Sequence, residues 1–122
     1  STAGDCCMFY QVRPALLDAW LGQFNGDAAK PVVLDVREKW ECQVASVAPS
    51  DKFELLCIPM GEITSRLNEL DPDRPIACLC HHGARSMSVA AYLAREGFES
   101  VANITGGIAA WAVERDPNVP QY

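Results

Sequence analysis

Apolar residues along the chain alternate between short continuous runs and helical spacing, with turn-forming residues between them. Residues 7–12 predict a first strand. A helix follows over 14–24, because Leu16, Leu17, Trp20 and Leu21 recur at helical spacing behind a first-turn proline, and Gly22, Asn25 and Gly26 end the pattern. Residues 31–36 predict a second strand, followed by a short turn or helix over 38–43 and an irregular polar stretch through Lys52. The run 55–58 predicts a third strand closed by Pro59. A helix is then expected through Leu70, with Ile63, Leu67 and Leu70 on one face, and Asp71-Pro72-Asp73 breaks it. Residues 75–79 read as a fourth strand, 86–96 as a helix stopped by Gly97, 100–104 as a fifth strand and 107–114 as a last helix.

Strands alternating with helices across short loops predict a single α/β domain spanning 1–122. Its mainly parallel central sheet has about five strands and is flanked by helices on both faces. Residues 1–6 are expected to be disordered. With 122 residues and 49% hydrophobic content, the chain is large enough for one sizeable core. A net charge of −6 argues against nucleic acid or an anionic membrane as the main partner. No stretch approaches the ~20 apolar residues of a membrane span, and Ser1-Thr2-Ala3-Gly4-Asp5 lacks the features of a signal peptide, so a soluble, cytoplasmic protein is expected.

The six cysteines suggest a disulfide scaffold less than they suggest individual roles, since the core needs no staples. Cys57 and Cys78 lie in apolar runs and are expected to be small buried hydrophobes. Cys6, Cys7 and Cys42 carry no readable role. Cys80 is different, because it ends the fourth apolar run and is followed by His81-His82-Gly83-Ala84-Arg85 and then a helix. Unpaired backbone N–H groups and the positive end of a helix dipole favour an anion there, which suits a nucleophilic thiolate. In open parallel sheets the site lies beyond the carboxyl ends of the strands, where both Asp35 and Cys80 are predicted to fall.

Three segments in order resemble the rhodanese-like family of single-domain sulfurtransferases: Leu34-Asp35-Val36-Arg37-Glu38, Cys80 through Ser86, and Thr105-Gly106-Gly107-Ile108-Ala109-Ala110-Trp111. The resemblance implies that Cys80 attacks the outer sulfur of a donor such as thiosulfate, becomes a persulfide and passes that sulfur to cyanide or a thiol. It implies an anion cradle made by His81, His82, Gly83, Ala84 and Ser86, with Gly83 letting the backbone curl and Arg85 as the principal charged contact. Asp35 and Arg37 are expected in support, Asp35 bracing its turn and reaching the active loop by a hydrogen bond. Arg37 is expected either to pair with Glu38, Glu41 or another carboxylate or to touch substrate. No cofactor or metal is expected. A small donor and a thiophilic acceptor are the expected partners, with a protein persulfide or a thioredoxin-like protein as further candidates.

Where many family members carry an arginine directly after the cysteine, this chain has His81, which predicts weaker use of the thiosulfate dianion than of mercaptopyruvate or a protein persulfide. Three alternatives compete. A zinc site at Cys78, Cys80 and the two histidines lacks a second ligand pair. A cysteine-dependent phosphatase or arsenate reductase needs one residue more between cysteine and arginine than the four here. A non-catalytic rhodanese-like module that binds a partner or senses redox state is the third, and inactive relatives typically lack the loop cysteine that this chain retains. Gly106-Gly107 is read as a tight turn, Trp111 with Ile108 as core, and Trp20 and Trp40 as carrying no chemistry.

Overall fold

The computed structural model describes residues 8–24, 26 and 29–122. The expected disorder of residues 1–6, the start of the first predicted strand and the roles of Cys6 and Cys7 lie outside them. Five strands form one wholly parallel sheet: β1 (Tyr10–Val12), β2 (Val32–Asp35), β3 (Glu54–Cys57), β4 (Ile76–Leu79) and β5 (Val101–Ile104). Their order across the sheet is β1-β5-β4-β2-β3, which makes β1 and β3 the edges. The helices are α1 (Leu17–Gly22), entered through a 3-10 turn at Pro14–Leu16, α2 (Lys39–Val44), α3 (Ala84–Arg95) and α4 (Gly107–Glu114).

The three inner strands are buried on both faces, which is why they read as continuous apolar runs and not as alternation. Alternation survives in where the side chains go. Val33, Ala77, Leu79, Ala102 and Ile104 pack with Trp20, Leu21, Ile108 and Trp111, whereas Val32, Leu34, Ile76, Cys78 and Val101 pack with Val89, Leu93 and Phe98. One core thus lies under α1 and α4 and the other under α3. Trp111 is core as expected, edge-on to Phe53 at 6.2 Å between ring centroids. Register aligns Asp35 with Leu79 and Cys78 with Asn103, so the carboxyl ends of β2, β4 and β5 finish at one rim of the sheet.

Two expectations fail. The helix predicted between Pro59 and Leu70 is replaced by two short 3-10 turns, Met60–Glu62 and Leu67–Glu69. Gly61, Thr64, Ser65 and Asn68 are weak helix formers, and the Ser65 hydroxyl donates to the Glu62 carbonyl at 3.1 Å, so short local bonds replace a continuous ladder. Cys57 is exposed and not core, because β3 is an edge strand with only partial cover. Cys78 is fully buried as expected, and burial pushes its thiol pKa up.

Candidate active site

Cys80 follows β4 directly, and the next residues form a tight loop into α3. Gly83, at φ 105°, caps that helix in the left-handed region that a side chain would strain. The turn brings the Gly83 N–H to 3.1 Å from Cys80 Sγ. The Ser86 hydroxyl, one turn into α3, lies 3.2 Å from the same sulfur. The thiol is almost wholly buried, at 1% exposure, so its surroundings are supplied by the protein and not by bulk water.

Ser86 is in turn held by Asn103, whose Oδ1 lies 2.5 Å from the hydroxyl. Asn103 Nδ2 donates to the Gly83 carbonyl at 3.2 Å and to Gln11 Oε1 at 3.0 Å, which fixes the amide orientation. The one Ser86 hydroxyl proton therefore serves either Asn103 or the sulfur. Sequence reasoning missed Asn103. The available signal was an isolated polar residue inside the apolar run Val101-Ala102-Asn103-Ile104.

The outer side of the loop is braced by α4. Ile108 N–H donates to the Cys80 carbonyl at 2.8 Å and Ala109 N–H to the His81 carbonyl at 3.1 Å. Gly107 makes that approach possible. Its φ is +61°, and a Cβ there would stand 2.3 Å from the His81 carbonyl oxygen and 2.5 Å from that of Cys80. Gly106-Gly107 is the expected tight turn and also the seat of the active loop.

Arg85 points to Glu41 on α2, with Nη1 and Nη2 bonded to the two carboxylate oxygens at 2.7 and 2.9 Å. Glu41 is nearly buried, and these bonds hold its pKa down to about 2 against the opposing effect of burial, helped by the Glu38 N–H and the Tyr122 hydroxyl. The same pairing raises the pKa of Arg85. Among the described residues the guanidinium keeps three unused N–H donors, and it is one-third exposed, so it is a neutralised pair open to a ligand and not a lone cation.

Asp35 and Arg37 lie side by side behind α2, both wholly buried. Arg37 Nη2 and Nε reach Asp35 at 2.7 and 2.9 Å, and Arg37 also donates to the carbonyls of Glu41 and Ala45 and to the Tyr122 hydroxyl. The hydrogen bond expected from Asp35 to the active loop is absent among the described residues, because Arg37 and the Cys42 thiol occupy its oxygens. Arg37 pairs with Asp35, not with Glu38 or the Glu41 carboxylate. The two brace α2, and through α2 they place Glu41.

Tyr122 was not anticipated. Its hydroxyl donates to Glu41 at 2.8 Å, its ring stacks on His81 at 4.0 Å between centroids, and Trp40 meets it edge-on at 6.4 Å. His81 also stacks on His82 at 3.9 Å. Burial, and then the neighbouring His82, lower the His81 pKa and favour the neutral ring. His82 and Ala84 are exposed, and a cleft of about 380 Å³ opens beside the loop between His82, Gly83, Met87, Asn103, Thr105 and Gln11.

The Cys80 sulfur thus lies in a strand-to-helix loop at the carboxyl rim of a parallel sheet, with the Gly83 N–H and the Ser86 hydroxyl beside it. The chain belongs to the rhodanese-like domain family, whose model matches residues 17–114. A sulfurtransferase of Allochromatium vinosum is 35% identical over 92 residues, with 75% of this chain and 81% of that protein covered. The chloroplastic rhodanese-like/PpiC domain-containing protein 12 of Arabidopsis thaliana is 42% identical over 92 residues, and the match covers 74% of this chain but only 30% of that longer protein. Among solved structures, a rhodanese-related protein from Thermoplasma volcanium superposes with a TM-score of 0.72 at 27% identity, covering 93% of this chain and all of that one. Among the described residues, no helix is long and apolar enough to cross a membrane.

Proposed function

We propose that this chain is a sulfurtransferase that carries a sulfane sulfur on Cys80, from a donor such as thiosulfate to cyanide or a thiol. The observation that supports it most is the Cys80 sulfur held between the Gly83 N–H and the Ser86 hydroxyl at 3.1 and 3.2 Å, a donor pair matched to an anion. In the first half-reaction the Cys80 thiolate attacks the outer sulfur of thiosulfate. The new S–S bond forms as the donor's S–S bond breaks, and sulfite leaves with the electron pair. In the second, the acceptor's lone pair takes the terminal sulfur and Cys80 departs as thiolate.

Residues 81–86 form the cradle in this reading, Ser86 turning its proton to whichever sulfur bears the charge. Arg85, oriented by Glu41, offers its free N–H groups to the donor's anionic end. A neutral His81 beside an arginine already paired leaves the site only weakly cationic. That favours mercaptopyruvate or a protein persulfide over thiosulfate, and a thioredoxin-like protein suits the acceptor role. A reducing compartment such as the cytoplasm keeps such a thiol available.

The test is intact-protein mass spectrometry of wild type and Cys80→Ser after incubation with thiosulfate, mercaptopyruvate or a protein persulfide. A gain of about 32 Da, removable by cyanide and absent in Cys80→Ser, is expected. No gain from any of the three donors, or an equal gain in Cys80→Ser, overturns the proposal.

A further inference from the structure

Beside α2, where Cys42 is next in sequence to Glu41, two thiols meet a buried carboxylate. Cys42 lies on α2, Cys57 ends the exposed edge strand β3, and Asp35 ends β2; Sγ of each cysteine and a carboxylate oxygen of Asp35 all lie within 4.8 Å of one another. Neither cysteine is in a disulfide. We propose that Asp35, Cys42 and Cys57 form a binding site for one thiophilic divalent cation of the zinc type. This site is distinct from Cys80, and it was not foreseen from sequence because its ligands come from three separate elements without finger-like spacing.

Distance, charge and access support it. Zinc–sulfur bonds of ~2.3 Å and zinc–oxygen bonds of ~2.0–2.2 Å at a tetrahedral angle put sulfur and oxygen about 3.6 Å apart. The Cys42 thiol and Asp35 Oδ2 are 3.6 Å apart, with the thiol proton standing between them where a cation would sit. Ideal sulfur–sulfur separation is about 3.8 Å, so Cys57, at the end of an edge strand, has at most about 1 Å to close.

Asp35 and Arg37 already neutralise each other, and the Asp35 carboxylate can bridge guanidinium and metal. Exchanging two thiol protons for one divalent cation leaves the net charge unchanged, so loading adds no uncompensated buried charge. Burial and the Asp35 carboxylate both push the thiols up, Cys42 to about 12, and a cation reverses the carboxylate's effect. The exposure of Cys57 leaves an entry path and a fourth position for water. Because Cys42 neighbours Glu41, loading would tie the helix that orients Arg85 to the sheet edge.

The experiment is an anaerobic titration of the reduced, chelator-treated full chain with Co(II), followed by visible absorption. Expected are tetrahedral d–d bands with sulfur-to-cobalt charge transfer, saturating at one equivalent, bleached by zinc, lost in Cys42→Ser and Cys57→Ser and kept in Cys80→Ser. Cys57 is exposed, so Cys57→Ser should leave the fold in place and keeps the test decisive. Absence of the bands in wild type, bands that persist in Cys57→Ser, or bands lost in Cys80→Ser overturn the proposal. None of these readouts depends on sulfur transfer.

Discussion

Glu41→Gln separates charge from shape at the residue that joins both halves of the site. Glutamine keeps the volume and one oxygen, which serves either the Glu38 N–H now bonded to Oε1 or the Tyr122 hydroxyl now bonded to Oε2, and it removes the charge that holds Arg85. A fall in pKa from an ordinary 4.5 to about 2 corresponds to an upper bound of about 3 kcal/mol. Arg85 is one-third exposed, so screening reduces this to about 1–2 kcal/mol. Because the folded-state pKa lies below the unfolded one, that stability is fully present above pH 4.5 and is lost as the pH falls toward 2. Glu41→Gln should thus melt about 4–8 °C below wild type at pH 7. The gap should shrink steadily between pH 4.5 and 3, where wild type loses what the variant never had. Thermal melts followed by circular dichroism across this range measure it. A gap that stays constant from pH 7 to 3, or no gap at pH 7, would refute the pairing as the source of the shift.

Two further substitutions probe the supports. Arg37→Met leaves the Asp35 carboxylate buried without its guanidinium and should cost about 3–5 kcal/mol in urea denaturation. Adding Asp35→Asn should recover more than about 1 kcal/mol, and a double variant as unstable as the single one would show that the pair is not the source. Gly107→Ala drives a Cβ into the carbonyls of His81 and Cys80 as well as straining a φ of +61°, whereas Gly97→Ala meets the same kind of strain, at +94°, in open space. Gly97→Ala should cost about 1 kcal/mol with transfer activity intact, and Gly107→Ala about 2 kcal/mol or more with activity lost; equal effects in melts and initial rates would mean that the collision does not matter.

These supports mark where the sequence was legible and where it was not. β2, β4 and β5 were readable because burial on both faces forces continuous apolar runs. The Cys80 loop was readable because its parts, cysteine, glycine, arginine and serine, are contiguous. The position of β3 at the sheet edge was not, since nothing in Glu54-Leu55-Leu56-Cys57 says that no strand lies beyond it among the described residues, and the exposure of Cys57 follows from that position. Helical spacing also misled between Pro59 and Leu70, where three apolar residues on one face were outweighed by residues that bond their own backbone.

The orientation of Arg85 belongs to this second kind. It depends on Glu41 and Tyr122, distant in sequence, and on Asp35 and Arg37 fixing α2 from behind. The contiguous loop thus supplies the donors around the sulfur, α4 and Asn103 seat that loop, and contacts through α2 set the charge it faces. Substitutions in the loop should accordingly abolish sulfur loading, whereas those around α2 should change which donor is accepted.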